Sequence, residues 1–227
     1  MSDANRETNY PGHESEDFGG RVFTSQHDRL SYSYKKRSDS DLEEIADVVL
    51  NRYAHRRTGL FVNIEGIIED CGIRILPRQG NLFQYVEAYT PRDPHFIVVP
   101  ELSAYDQSKY RPSIAEEFAH IMLEWNLWET DGHLPDGSDG HELSPEQYRE
   151  IEDNAEYLAL ALLMPKNDFV TRFNKEVATP GQSLEKSCKA IQLDFQVWYA
   201  FVAYRAADLN LISEDEVSSG ITARLLF

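Results

Sequence analysis

The sequence predicts an α+β fold: helices gathered around one small, mainly antiparallel sheet, with further helices at the C-terminus. Three observations predict it. Several segments from residue 40 onward carry apolar residues at helical spacing, some of them opened by a capping signal. Three β-rich runs, at 73–77, 82–90 and 95–99, are set off by Gly and Pro. Two helices precede these runs and the rest follow them, a grouping that suits α+β better than an alternating α/β sheet. The chain has 227 residues, 41% of them hydrophobic, with 12 Tyr and 11 Phe, enough for one domain with a sizeable core.

Residues 1–39 are polar, mixed in charge and without period, and read as a flexible leader. Order is expected from Ser40. Ser40-Asp41-Leu42-Glu43 reads as a capping box, and Leu42, Ile45, Ala46, Val49 and Leu50 give a helix ending near Arg56, before Thr58-Gly59. Asn63 is a plausible cap for a short helix over 64–71, with Gly72 just past its end. The three strands follow, with a turn at Pro91-Arg92-Asp93-Pro94 between the second and third. Ile97, Val98 and Val99 are continuous and apolar, as in a strand buried on both faces.

The next helix is placed from Pro112, because Pro at a first helical position loses no needed N–H. Residues 129–143, rich in Gly and Asp and carrying His133 and His141, read as an exposed loop. Ser144-Pro145-Glu146-Gln147 opens another helix, which runs to Met164 and is closed by Pro165. Shorter helices are expected over 167–176, 183–191 and 195–209. The resulting division is a leader at 1–39, a main domain at 40–178, and a C-terminal helical segment at 179–227 packed on it.

The net charge of −17 disfavours nucleic-acid binding, although the last helix pair superficially resembles a helix-turn-helix. Two cysteines, Cys71 and Cys188, lack a paired spacing and read as buried thiols in a reducing compartment. Without a long apolar run, no membrane span is expected and a cytoplasmic location follows.

Two helices carry the chemistry. On the first, Ser113, Glu116, Glu117, His120 and Glu124 share one face, and Glu116 and His120 lie one turn apart. On the second, Glu152 and Glu156 are also one turn apart, just before a stretch that is apolar all round. Spacing alone fits two solvated acidic faces as well as it fits metal ligands.

The two stretches together resemble the ImmA/IrrE family of metallopeptidase-like proteins. There an Arg-x-Thr-x-Ala-His-Glu-x-x-His helix is followed by Glu-x-x-Ala-Asn/Asp-x-Phe-Ala-x-x-Leu-Leu-Met-Pro. Here the first reads Arg111-Pro-Ser-Ile-Ala-Glu116-Glu117-Phe-Ala-His120, and the second runs from Glu152 through Ala155, Glu156, Leu158 and Ala159 to Met164-Pro165. The likeness covers roughly 41–212 and implies a zincin-like arrangement of the helices. It implies metal ligands at Glu116, His120 and Glu152, a general base at Glu117, and Glu156 orienting a ligand from outside the coordination sphere. Glu152 is preferred to Asn154 as third ligand because it lies one turn before Glu156.

Glu116 stands where the family has His. A second anionic ligand weakens a bound ion as a Lewis acid and moves preference from zinc toward manganese, iron or magnesium. Without metal, the crowded carboxylates Glu116, Glu117, Glu152 and Glu156 are expected to keep some protons. The resemblance implies a protein substrate or partner, including a helix-turn-helix repressor that is cleaved or bound. It leaves open a non-catalytic form that binds a partner without metal. His95, His133 and His141 are alternative imidazoles, each read as a surface histidine.

Overall fold

A computed structural model describes residues 37–78, 88–90, 95–101, 107–128 and 144–220. The expected leader (apart from its last three residues), most of the 82–90 strand, the 91–94 turn and the 129–143 loop with His133 and His141 lie outside the described residues. The class is α+β.

Helix α1 spans Asp39–Arg52. Its cap is Ser38, not Ser40: Ser38 Oγ accepts from the Asp41 N–H, and Asp41 accepts from the Ser38 N–H at 3.0 Å. Asp41 thus does for Ser38 what Glu43 was expected to do for Ser40. Glu43 instead accepts a hydrogen bond from Tyr157 Oη and pairs with Arg205. The helix ends before Arg56, because residues 54–56 tighten into a 3₁₀ turn leading to a hairpin of β1 (Arg57–Thr58) and β2 (Phe61–Val62). Gly59, at φ +60, makes the turn between them. Asn63 caps α2 (Ile64–Asp70) by accepting from the Gly66 N–H at 3.0 Å, and Gly72 follows at φ +79.

Among the described residues the longest ladder is parallel. β3 (Arg74–Arg78) pairs with β4 (Phe96–Pro100) in register Arg74↔Phe96, and the Arg74 guanidinium sits 4.6 Å over the Phe96 ring. Antiparallel pairing is confined, among the described residues, to the β1–β2 hairpin and a bridge between Tyr89 and Val98. A small antiparallel sheet plus a parallel pair is what the described residues show, in keeping with the α+β class. Ile97, Val98 and Val99 are buried as expected, with neighbours on both edges of β4.

Helix α3 spans Gln107–Trp128, so Pro112 lies inside it and does not start it. Pro112 has no N–H to offer the Ser108 carbonyl. The backbone N–H of Trp198 donates to that carbonyl instead, at 3.1 Å, which lets the helix begin a turn early. Helix α4 spans Pro145–Leu163 with the predicted capping box, Ser144 N to Gln147 Oε1 at 2.8 Å and Gln147 N to Ser144 Oγ at 3.3 Å. α5 (Lys166–Val177), α6 (Leu184–Phe195), α7 (Tyr199–Asp208) and α8 (Glu214–Gly220) complete the described chain.

One hydrophobic core takes residues from α1 through to Val217 of α8. α4 is central, packed on α1, α3 and α7. Two buried arginines tie distant elements to this core. Arg111 of α3 donates to Val62 O at 2.8 Å and Gln196 O at 3.1 Å and stacks 4.4 Å over Phe61. Arg205 of α7 is wholly buried; it donates to Met164 O at 3.1 Å and lies 2.7 Å from Glu43. Arg205 is the sole basic residue of α7, so that helix presents no basic side chain to a phosphate. Neither cysteine is in a disulfide; Cys188 is buried and Cys71 half-buried. Among the described residues no helix is long and apolar enough to cross a membrane.

Candidate metal centre

Helices α3 and α4 pack against each other and bring three side chains together. Glu116 and His120 come from successive turns of α3 and Glu152 from α4; one ligand atom from each lies within 4.8 Å of the other two. His120 Nε2 is 3.6 Å from Glu152 Oε2. Ligands around a four-coordinate ion with bonds of about 2.1 Å stand about 3.4 Å apart, so this pair is already near bonding spacing. Two carboxylates and an imidazole match the charge and hardness of a divalent cation. The three residues could hold a divalent ion between them.

Glu117 lies on the same helix but is held by another partner. Thr90 Oγ1 donates to Glu117 Oε2 at 2.7 Å, and the Thr90 backbone also hydrogen-bonds this carboxylate. Glu156 follows Glu152 by one turn and is not among the three residues able to share an ion. Ser113, expected on the polar face, turns its hydroxyl back to Lys109 O at 3.0 Å. His95 is exposed and outside the cluster.

The carboxylates divide by environment. Burial pushes Glu116 up to about 7; Glu117, Glu156 and Glu152 add to the rise, and His120 opposes it. Burial also raises Glu117, against the pull of His120 and the Thr90 hydrogen bonds. Glu156 is raised by burial and by the charges of Asp153 and Glu152. Glu152 moves the other way, because its pairing with His120 outweighs the desolvation of a side chain that remains 56% exposed. Of the two carboxylates in the cluster, then, Glu116 and not Glu152 is the one that burial inclines to hold a proton.

A family model described as the IrrE N-terminal-like domain, Peptidase_M78, matches residues 68–207. The chain belongs to this family. The matched residues contain α3 and α4 entire, and therefore every member of the cluster. Membership makes the chain a metallopeptidase-like protein of IrrE type, for which a divalent ion and a protein substrate or partner are the general expectation. No curated protein matches the chain.

Thr90 is the residue at this IrrE-type site that sequence reasoning missed. It sits at the end of the run read as a second strand, where a threonine is ordinary. Nothing in its spacing points to Glu117, 27 positions away.

Proposed function

We propose that the protein is a metal-dependent, endopeptidase-like regulator that acts on another protein, with a helix-turn-helix transcriptional repressor as the leading substrate. The observation that carries this reading is the convergence of Glu116, His120 and Glu152 from two helices, with a separate carboxylate, Glu117, alongside. Glu116, His120 and Glu152 are the ligands. The bound ion would supply Lewis-acid polarisation of a scissile carbonyl and acidification of a water. Glu117 takes the proton of the attacking water and returns it to the leaving amine. Glu156 orients a ligand from outside the coordination sphere. Zinc is the first choice of ion, with manganese, iron and magnesium admitted by the two oxygen ligands.

Metal analysis of the purified protein, with Glu117→Gln as control in a repressor-cleavage assay, tests the reading. Bound metal and cleavage abolished by Glu117→Gln are expected. Absence of metal together with cleavage indifferent to Glu117→Gln rejects it.

A second reading is a non-catalytic module that binds a protein partner through the same cleft. It is favoured by the way the cluster satisfies itself: His120 pairs with Glu152, and a carboxyl at about 7 lets a proton stand in for an ion at Glu116. Glu116→His separates the two. Metal binding and cleavage gained only in that variant support the module; wild-type cleavage that requires metal excludes it.

A further inference from the structure

We propose that Thr90 is a positioning residue that keeps Glu117 off the metal, so that of two adjacent glutamates only Glu116 becomes a ligand. The inference rests on the metal reading of the cluster given above. Glu116 and Glu117 are neighbours in sequence on the helix that carries His120, and Glu116 is the one whose carboxylate lies in the cluster. Glu117 lies near enough to feel the charges of both His120 and Glu152. Residue type does not tell the two apart; one turn of helix sets Glu116 beside His120, and the Thr90 hydrogen bond holds Glu117 elsewhere.

Its hydroxyl is 2.7 Å from Glu117 Oε2, and its own position is fixed from the sheet. The preceding residue, Tyr89, exchanges both backbone hydrogen bonds with Val98 of β4, at 3.0 and 2.8 Å. Val98 sits in the centre of the buried strand, between Ile97 and Val99. Thr90 is itself buried, 8% exposed, so water does not readily replace its hydroxyl. The sheet therefore grips one carboxylate of the α3 pair and leaves the other to the cluster. A carboxylate has about four lone-pair positions, so the Thr90 bonds leave Glu117 able to accept a proton from a water.

With the hydroxyl removed, Glu117 keeps only the Thr90 backbone hydrogen bond, and the cation becomes the stronger attraction. Glu117 then joins the coordination sphere as an extra anionic ligand. Thr90→Val preserves shape and removes the donor; Thr90→Ser keeps the donor; Thr90→Ala is the alternative should the valine methyl crowd the site.

The probe is Co(II), titrated into the full chain after EDTA stripping and followed by visible absorption, whose intensity falls as coordination number rises. Wild type and Thr90→Ser should give the same bands and the same Kd. Thr90→Val and Thr90→Ala should give weaker bands and a Kd changed by about tenfold, the scale on which partners of metal-site groups act. Adding Glu117→Gln to Thr90→Val should restore the wild-type bands. Identical spectra and Kd in wild type, Thr90→Val and Thr90→Ala overturn the role of Thr90 and leave the metal reading standing. So does a changed spectrum that persists after Glu117→Gln. Loss of the folded circular dichroism in both the valine and alanine variants makes Thr90 a structural residue and also overturns it. No Co(II) uptake by the wild type overturns the metal reading itself.

Discussion

Glu116 makes the stability of the metal-free protein fall as pH rises. Burial pushes its carboxyl up to about 7 in the fold, against an ordinary 4.5 once unfolding exposes it. Between these values the folded protein holds a proton that the unfolded chain has released, so stability drops across that window. Below about pH 4.5 the effect is absent, and above about pH 7 it is complete. At about 1.4 kcal/mol per pH unit, the interval corresponds to about 3 kcal/mol lost by pH 8. Glu116→Gln removes the proton exchange. In EDTA it should be about 3 kcal/mol more stable than wild type at pH 8, and close to wild type near pH 4.5. For a chain of this size that is a rise in Tm of about 6–12 °C. The assay is urea unfolding at several pH values from 4.5 to 8, with m checked for constancy. Saturating divalent ion should then narrow the gap, because it stabilises wild type by about 2.7 kcal/mol at a hundredfold excess over Kd and the Gln variant by less. Equal pH slopes in wild type and Glu116→Gln would refute the reasoning, for the burial of that carboxyl would then cost nothing.

Three further outcomes follow from the packing. Ser38→Ala should cost about 1 kcal/mol in urea unfolding while Ser40→Ala stays within about 0.5 kcal/mol, since only Ser38 accepts from the Asp41 N–H; the reverse ranking would return the cap to Ser40. Arg205→Met should cost about 3–5 kcal/mol, because it strands Glu43, whose side chain is 12% exposed and stands 2.7 Å from the guanidinium. Adding Glu43→Leu should recover part of that loss, and a double variant no better than the single would contradict the pairing. Arg111→Lys should lower stability by about 2–3 kcal/mol, because an ammonium does not span Val62 O and Gln196 O while stacking on Phe61; thermal unfolding indistinguishable from wild type would remove Arg111 as a tie between these elements.

The sequence by itself determined whatever rests on contacts within one or two turns. The Ser144–Gln147 box, the Asn63 cap and the stop at Pro165 were legible because donor, acceptor and breaker lie within a few residues of one another. The nearness of Glu116 and His120 was legible for the same reason, since an α-helix sets it. Even at this range the cap expected at Ser40 lies at Ser38, which also has an acid three residues on, while Glu43 is engaged by Tyr157 and Arg205.

Tertiary structure decided the rest, because it depends on groups that only packing brings together. The early start of α3 needs an N–H from Trp198, far along the chain, to replace the one Pro112 lacks. The parallel pairing of β3 with β4 is a matter of which edges meet. Glu152, expected from the resemblance, meets Glu116 and His120 only because α4 packs on α3, and Thr90 reaches Glu117 only through the sheet. Residue types specify four carboxylates in two motifs. Which of them holds a proton, which pairs with His120 and which is held apart are set by burial and neighbouring charge, and neither exists until the chain has folded.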